Sequence, residues 1–265
     1  MQLSTYFLET PELKIPFNTF GYGTFATSEY PLDGTALSFP SHLMLGKQAE
    51  HLFEHWLKHS KRFQLIAANI QIQGERATLG EIDYIVRDTN TQTVLHIELA
   101  CKFYLLDPAI STSLLGKWIG PNRKDRLIEK LEKLQTKQFP LLHKEETAKT
   151  LAPLSLAVAA VQQQVCLKGF LFLPKYFREV LPLHFQKCVV GHYLSWQEID
   201  SENDPKAQYA LPNKSSWLIP PLAYADWHPF SEIKAQIRAA IEIKRAPLVY
   251  KKKGDTVAKF FVIWW

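Results

Sequence analysis

The stretch GEIDYIVRDTNTQTVLHIELACKFYLL, residues 80–106, decides the fold. Two segments within it, 80–88 and 93–104, are rich in β-branched and aromatic residues and are separated by a polar turn, which indicates a hairpin. If the two strands pair in the antiparallel direction and turn at the centre of that polar segment, Asp83 lies opposite Glu98. Side chains of opposed residues point to the same side of a sheet and lie close together. The sequence therefore predicts two carboxylates side by side.

The two sides of this predicted hairpin differ in polarity. One side carries Glu81, Asp83, His96, Glu98 and Lys102. The other side carries Ile82, Tyr84, Val86, Leu95, Ile97, Leu99 and Phe103, which suits a core. A slip of one residue would bury the charged set, so the register is well specified. Opposed carboxylates repel each other unless a proton or a cation compensates, and Mg²⁺ prefers such oxygen ligands. A solvated polar face of a half-exposed hairpin is the alternative.

Regular patterns flank the hairpin on both sides. A helix is predicted over 46–60, because apolar residues recur there at helical spacing, and a strand over 62–74. After the hairpin, the sequence predicts a helix over 120–137, a second helix over 151–165 and a short buried strand at 169–174. The order is therefore helix, three strands, helix and strand, which is typical of a mixed α/β domain.

The composition is that of an ordinary globular protein. The chain has 265 residues, of which 46% are hydrophobic and 22% are charged, so disorder is not expected. Its net charge of +5 favours an anionic partner. The three cysteines have no CxxC spacing, and no secretory signal or membrane-length apolar run is visible. We therefore expect a cytoplasmic protein that does not engage a membrane.

A basic segment precedes the predicted helix over 120–137. Its candidate phosphate-binding residues are Lys117, Asn122, Arg123, Lys124 and Arg126. Asn122 is the expected N-cap, with Asp125 three residues on as a variant of the capping box. The first turn of a helix offers free N–H groups and a positive dipole to phosphate. Such contacts would bind a nucleic-acid backbone without reading its sequence. A solvated, charged helix is the alternative.

The helix over 46–60 contains a second candidate site, in the stretch EHLFEHWLKH. His51, Glu54 and His55 follow the H-x-x-E-H order of zinc peptidases with the inverted motif. A third protein ligand would be needed, and Glu129 or Glu132 lies at a suitable distance along the chain. A stripe of solvated histidines on a charged helix is the simpler interpretation.

Taken in order, these motifs resemble the PD-(D/E)xK nuclease superfamily. The matching residues are Glu50 on the first helix, Asp83, Glu98 and Lys102. More narrowly, LGKQAEHLFEHWL, GEIDYIV, IELACKFYL and GPNRKDRL are similar to the bacterial domain-of-unknown-function 1853 family, over residues 40–175. The resemblance implies an α/β fold with a restriction-endonuclease-like core: a helix, a three-stranded antiparallel-led mixed sheet, a helix and a strand, with N- and C-terminal additions.

The resemblance also implies a chemistry. Asp83 and Glu98, helped by Glu50, would hold Mg²⁺ or Mn²⁺, which activates a water for phosphodiester hydrolysis. Lys102 would position or deprotonate that water, or neutralise the scissile phosphate. The expected partner is a nucleic acid, either DNA or RNA, with DNA favoured. Residues that could assist these four are Glu81, Glu54, His96 and Gln163.

The lysine departs from the superfamily motif. That motif places it two residues after the acid, where this chain has Ala100, whereas Lys102 lies four residues after Glu98. Its Cα would lie about 14 Å from that of Glu98 instead of roughly 7 Å, so a curved or bulged strand is needed for its side chain to reach the carboxylates. It could instead pair with Glu81. Two alternatives therefore stand beside the nuclease: a catalytically decayed nucleic-acid-binding or scaffold protein, and a zinc metallopeptidase.

The sequence suggests three regions. Residues 1–45 are rich in proline, glycine and aromatic residues, and are predicted to form an extended segment that wraps the core. Residues 46–175 form the nuclease-like core. Residues 176–265 form an α+β extension of the same domain or of one packed closely against it.

Overall fold

The computed structural model describes residues 3–27 and 42–265. Its α-helices are α1 (Leu3–Glu9), α2 (Phe17–Phe20), α3 (Leu45–His59), α4 (Leu127–Lys133), α5 (Phe139–Leu141), α6 (Glu145–Leu151), α7 (Leu183–Gln186) and α8 (Phe230–Glu242). Its strands are β1 (Gly23–Thr24), β2 (Phe63–Gln73), β3 (Thr78–Asp88), β4 (Val94–Leu106), β5 (Trp118–Ile119), β6 (Gln162–Pro174), β7 (Val189–Ser195), β8 (Gln208–Ala210), β9 (Leu248–Lys253) and β10 (Thr256–Ile263).

The described strands join in one mixed sheet. Its order is β2-β3-β4-β6-β7-β10-β9-β8, with β1 beside β6 and β5 beside β4. The pairs β2–β3 and β3–β4 are antiparallel, whereas β6 runs parallel to β4 along Leu95–Leu105. Strands β8 to β10 extend the same sheet, so the C-terminal region shares its hydrogen-bonded framework with the rest. The protein is therefore a mixed α/β structure.

The predicted hairpin register is confirmed. Tyr84 pairs with Ile97 and Val86 with Leu95, and the pairing of β3 with β4 ends at Tyr84. Glu98 is 1% exposed, and His96 is fully buried beside it. The alternative of a solvated polar face is therefore wrong for His96 and Glu98, whereas Glu81, Asp83 and Lys102 keep partial exposure.

Two apolar layers hold these helices to the sheet. The amphipathic helix α3 packs Phe53 and Trp56 against Tyr84 and Ile97 on one side of the sheet. On the other side, α4 and α5 pack against β4 and β6 through Leu127, Leu131, Phe139, Tyr104 and Leu167. Burial of each such side chain contributes roughly 1.5–3 kcal/mol. Strand β4 is thus covered by helices on both sides of the sheet.

Ile82 departs from the predicted apolar side. It packs with Ile85 and Leu141, away from the cluster that contains Tyr84. Its partner on β2 is Ile70, and the partner of Tyr84 is Ala68. Between these two pairs, Asn69 has a positive φ of 53°. That left-handed residue interrupts the alternation of side chains, so both strands change sides there.

The predicted helix over 120–137 is wrong at its start. The helix α4 begins at Leu127, after Arg126 as N-cap, and the side chain of Glu129 accepts a hydrogen bond from the Arg126 N–H at 3.2 Å. Asn122 is therefore not the N-cap. A π turn over Leu134–Gln138 follows and leads directly into α5. The glycine and proline of GPNRKDR favour a loop, so residues 120–126 precede α4 and are not part of it.

The predicted helix over 151–165 is also wrong. Its first part forms two short 3₁₀ turns after α6, and Gln162 begins the long strand β6. The predicted short strand at 169–174 is the second half of β6. Residues 152–160 are mostly exposed and Pro153 interrupts a regular helix there, so a composition rich in alanine and leucine indicated a helix that has no core to pack against.

The N-terminal region is partly helical. Besides α1 and α2, it contains a segment whose Glu12 forms a buried ion pair of 2.5 Å with Lys168 on β6. Residues 28–41 of the predicted extended segment lie outside the described residues. Among the residues described, no helix has the length and apolar character needed to cross a membrane.

Candidate active site

Strands β3 and β4 separate at the two predicted carboxylates. Beyond the last pair, Tyr84 with Ile97, the backbone N–H of Leu99 donates to Asp83 Oδ2 at 2.9 Å. The carboxylate of Asp83 therefore takes a hydrogen bond that a ladder partner on β3 would otherwise accept. This arrangement ends the backbone pairing of β3 with β4 at Asp83 and Glu98.

Asp83 lies in a strongly negative, poorly hydrated position. Burial first, and then the charge of Glu98, raise the pKa of Asp83 to about 7. The hydrogen bond from Leu99 and the charge of Lys130 act in the opposite direction, and Glu50 adds a smaller upward contribution. The protein thus holds two carboxylates near each other without full compensation, which is the electrostatic condition that a bound cation relieves.

A chain of hydrogen bonds fixes the carboxylate of Glu98. His96 Nε2 lies 2.9 Å from Glu98 Oε1, and Gln138 Nε2 donates to Glu98 Oε2 at 3.1 Å. Gln163 Nε2 lies 3.0 Å from His96 Nδ1 and donates to the Phe139 carbonyl at 2.8 Å. Because Gln163 donates to Nδ1, His96 carries its proton on Nε2 and donates it to Glu98. The carboxylate therefore has one orientation.

Helix α3 brings Glu50 to the same region. The Tyr84 hydroxyl donates to the Glu50 carbonyl at 3.2 Å, which ties the helix to β3. The Glu50 side chain is partly exposed and forms an ion pair with Lys47. Within residues 3–27 and 42–265, no group of three or more His, Cys, Asp or Glu side chains is arranged to hold a metal. Glu50 is thus near the pair without completing a three-residue cage.

The two lysines near the carboxylates have different roles. Lys102 Nζ donates to Asp125 Oδ2 at 2.9 Å, so it pairs with neither Glu81 nor Glu98. Lys130 on α4 is half-buried; burial lowers its pKa, and the charges of Glu98 and Asp83 oppose that shift. The sequence did not point to Lys130, because which side of α4 faces β4 depends on how the helix packs. Lys130 is therefore the cation whose charge acts on both carboxylates.

A cleft of about 810 Å³ is lined by Leu99, which follows Glu98 and donates to Asp83, although neither Asp83 nor Glu98 is itself part of the lining. Its walls come from the start of α3, residues 99–103 of β4, the loop before α4 and residues 214–217. Glu50, Lys102 and Lys130 line it. The cleft is thus large enough for a small ligand.

The comparisons with known proteins add a family and nothing more specific. The model of the family described as Domain of unknown function (DUF1853) matches residues 28–262. The chain belongs to this family. The match reaches well past residue 175, so the C-terminal strands are part of the DUF1853 domain as well. The chain matches no curated protein and no solved structure.

Two of the predicted phosphate-binding residues line the cleft of the DUF1853 chain. They are Asn122 and Lys124. The amide oxygen of Asn122 accepts a hydrogen bond from the Ala246 N–H at 2.8 Å, so it anchors the loop before α4 to the C-terminal region. Lys124 is exposed and free to contact a ligand.

The other three members of that set lie away from the cleft lining. Arg123 donates to Asp107 Oδ2 at 2.9 Å, and Arg126 donates to the Gly116 carbonyl at 2.7 Å. Lys117 is half-buried. Both arginines therefore have structural partners that hold the loop in place.

The zinc arrangement is not assembled in the DUF1853 chain. The rings of His55 and His59 stack at 4.0 Å, and Glu54 pairs with Lys58 at 2.5 Å. His51 is exposed on the same helix. No metal-holding group forms around these side chains within the described part of the chain. Glu81, the remaining accessory candidate, is half-buried, and its carbonyl accepts a long contact of 3.4 Å from Gln138.

Proposed function

We propose that this protein is a divalent-metal-dependent nuclease with a restriction-endonuclease-like core, in which Asp83 and Glu98 hold the cation. The observation that carries the proposal is the pair itself, a buried Glu98 beside a half-buried Asp83 whose carboxylate accepts the Leu99 N–H and whose pKa is raised to about 7 by desolvation and by Glu98. The order α3, antiparallel β2–β3–β4, α4 and parallel β6 also agrees with the PD-(D/E)xK superfamily.

The donor set suits Mg²⁺ or Mn²⁺. Both ions prefer oxygen ligands, and Mg²⁺ commonly uses one or two carboxylates together with waters and substrate phosphates. Asp83 and Glu98 would supply the two carboxylates, and Glu50, whose charge also acts on Asp83, would have to leave Lys47 to assist. When bound, the cation supplies a Lewis acid that lowers the pKa of water and offsets phosphate charge.

Other residues of the protein orient Glu98 and supply positive charge near the carboxylates. The chain from Gln163 through His96, together with Gln138, orients Glu98. Lys130 adds a positive charge beside both carboxylates, where charge builds up on a transferring phosphate. Lys102, held by Asp125, is placed to contact the phosphate backbone farther along the cleft.

Cleavage assays test the proposal. The purified protein should cut DNA or RNA in Mg²⁺ or Mn²⁺ and lose this activity in EDTA. Asp83→Asn and Glu98→Gln should each abolish cleavage, while Glu75→Gln, an exposed acid in the turn between β2 and β3, should retain it. Cleavage that survives both site substitutions would exclude this site as the source of activity.

One set of observations favours a second function, a nucleic-acid-binding protein without catalysis. Lys102 is tied to Asp125, and both oxygens of Glu98 already accept hydrogen bonds or contacts from the protein. Salt-sensitive binding without cleavage in any divalent metal would favour this alternative.

A further inference from the structure

The size of the cleft limits what can enter it. A volume of about 810 Å³ falls in the range that holds one drug-sized ligand, comparable to a few nucleotides. A base-paired segment holds two strands over the same length, so a cleft of this volume accommodates an unpaired strand better than a duplex. Substrate that reaches the interior of the cleft therefore enters as an unpaired strand.

The charge of the cleft favours a polyanion. Five lysines and two carboxylates line it, and two of the lysines, Lys47 and Lys102, already pair with those carboxylates. In the part of the chain that the structure describes, Lys124, Lys130 and Lys214 form no ion pair. Their positive charge is therefore available to phosphates.

The cleft also has an apolar wall. Phe103 and Trp217 line it with their rings 5.0 Å apart and with 7% of each residue exposed, and Lys214 lies 5.9 Å from the ring of Trp217. Met44 contributes an apolar side chain that is 80% exposed at the rim. Grooves that pair lysines with apolar and aromatic surface are typical of single-strand binding, because unpaired bases expose faces that stack on such surfaces.

We propose that this cleft binds an unpaired end of a single-stranded nucleic acid, with phosphates along Lys124, Lys130 and Lys214 and bases toward Phe103 and Trp217. The inference rests on the proposed function, because the lining residues Leu99, which donates to Asp83, and Lys130, whose charge acts on Asp83 and Glu98, connect the cleft to the carboxylate pair. A single strand can bend into the cleft and bring one phosphate to the carboxylates, whereas a duplex interior cannot.

A binding experiment tests this inference separately from cleavage. Fluorescence anisotropy would follow a short labelled oligonucleotide in Ca²⁺, supplied as single-stranded DNA, as single-stranded RNA and as a blunt DNA duplex. Each sample would be run on a gel to confirm that the oligonucleotide is intact. We expect at least one single strand to bind about tenfold more tightly than the duplex, a difference of about 1.4 kcal/mol. Equal or tighter binding of the duplex would overturn the inference.

Lysine variants locate the bound strand. Lys124→Gln with Lys214→Gln should weaken single-strand binding several-fold, and the slope of log affinity against log salt should become shallower by about 0.7 for each phosphate that is no longer neutralised. Both residues are exposed, so folding should be unaffected. The matched control is Lys144→Gln with Lys187→Gln, two exposed lysines outside the cleft. An equal effect of the two double variants would place the strand elsewhere and contradict the inference.

Different results would reject the nuclease proposal and the proposal of single-strand binding in the cleft. Cleavage within a blunt duplex without preference for single strands would support the nuclease and reject the single-strand cleft. Preferential, lysine-dependent binding of a single strand without cleavage in any metal would support the cleft and reject the nuclease.

Discussion

The carboxyl group of Asp83 gives the metal-free protein a stability that depends on pH. Its pKa is about 7 in the folded state, raised by burial and by Glu98, against 3.8 for the unfolded chain. The folded state therefore keeps a proton that the unfolded state loses, and stability falls as pH rises from about 4 to about 7. The full shift corresponds to about 4 kcal/mol.

Asp83→Asn should remove this dependence. In EDTA at about pH 8 the variant should be more stable than the wild type by roughly 2–4 kcal/mol, because asparagine carries no charge and still accepts the hydrogen bond from Leu99. At about pH 4 the two proteins should be equally stable. Thermal unfolding at both pH values measures the difference, with Glu75→Gln as the control. An equal gain at both pH values would show that charge is not the cause.

Metal binding should depend on pH for the same reason. A cation must displace the proton of Asp83, so affinity for Mn²⁺ should rise about tenfold per pH unit up to about pH 7 and then level off. Calorimetric titration with Mn²⁺ across this range measures the change. A flat profile, or an unchanged profile in Asp83→Asn, would place the metal elsewhere.

The two lysines should contribute unequally to cleavage. Lys130→Gln should reduce the cleavage rate by about 10²-fold or more, because it removes the charge beside both carboxylates. Lys102→Gln should have the smaller effect on rate and should act mainly through KM, since Lys102 is held by Asp125. Steady-state kinetics of both variants separates kcat from KM. A larger loss of kcat in Lys102→Gln than in Lys130→Gln would show that Lys102, on β4, supplies the charge that assists cleavage.

At the scale of elements, the π turn between α4 and α5 supports the site. It covers Leu134–Gln138 and ends at the residue that donates to Glu98. Such turns occur often at functional sites, because they redirect the side chains that follow.

Gln138→Ala tests the contribution of this turn. Partners that orient a metal ligand typically contribute 10–100-fold to affinity, so Mn²⁺ binding should weaken by about that factor. The matched control is Lys137→Ala, an exposed residue of the same turn, which should bind Mn²⁺ normally. Loss of thermal stability without loss of Mn²⁺ affinity would make Gln138 a packing residue only.

The elements that the sequence predicts best are those with strict alternation. The hairpin register follows from the exclusion of charges from the core, and it places Asp83 beside Glu98. The prediction for 151–165 was wrong because its alanine- and leucine-rich composition favours a helix, whereas most of residues 152–160 are exposed and lack a packing surface that would stabilise one. The position of Lys130 near the carboxylates could not be predicted, because the side of α4 that faces β4 is decided by how the helix packs. The loop before α4 looked like a phosphate site, yet Asn122 and Arg123 bind other parts of the protein.

At the scale of the whole molecule, the pair of Glu12 and Lys168 fastens the N-terminal region to the sheet. Lys168 Nζ also donates to the carbonyls of Leu8 and Thr10, and Glu12 accepts hydrogen bonds from Thr27. All of these contacts are buried, so the pair is satisfied on both sides.

Replacing Lys168 alone should destabilise the protein more than replacing both Lys168 and Glu12. Lys168→Met leaves a buried carboxylate without its partner and should destabilise the protein by about 3–5 kcal/mol. Lys168→Met combined with Glu12→Gln should recover part of that loss, because no unpaired charge remains. Thermal unfolding compares the two, and Lys149→Met, at an exposed ion pair, should change little. Equal losses in the single and double variants would make the contacts of Lys168 with carbonyl groups the dominant ones.

The position of β6 has a consequence for fragments of this protein. β6 is hydrogen-bonded to β4 along one edge and to β7 along the other, and β7 in turn pairs with β10. A fragment that ends at residue 175 would leave residues 171–174 of β6 with unsatisfied N–H and C=O groups, because β1 and the segment around Glu12 cover only the preceding part of that edge. An open apolar edge of this kind recruits other chains into aggregates. Such a fragment would precipitate for want of its neighbouring strand, although it retains every residue of the carboxylate pair.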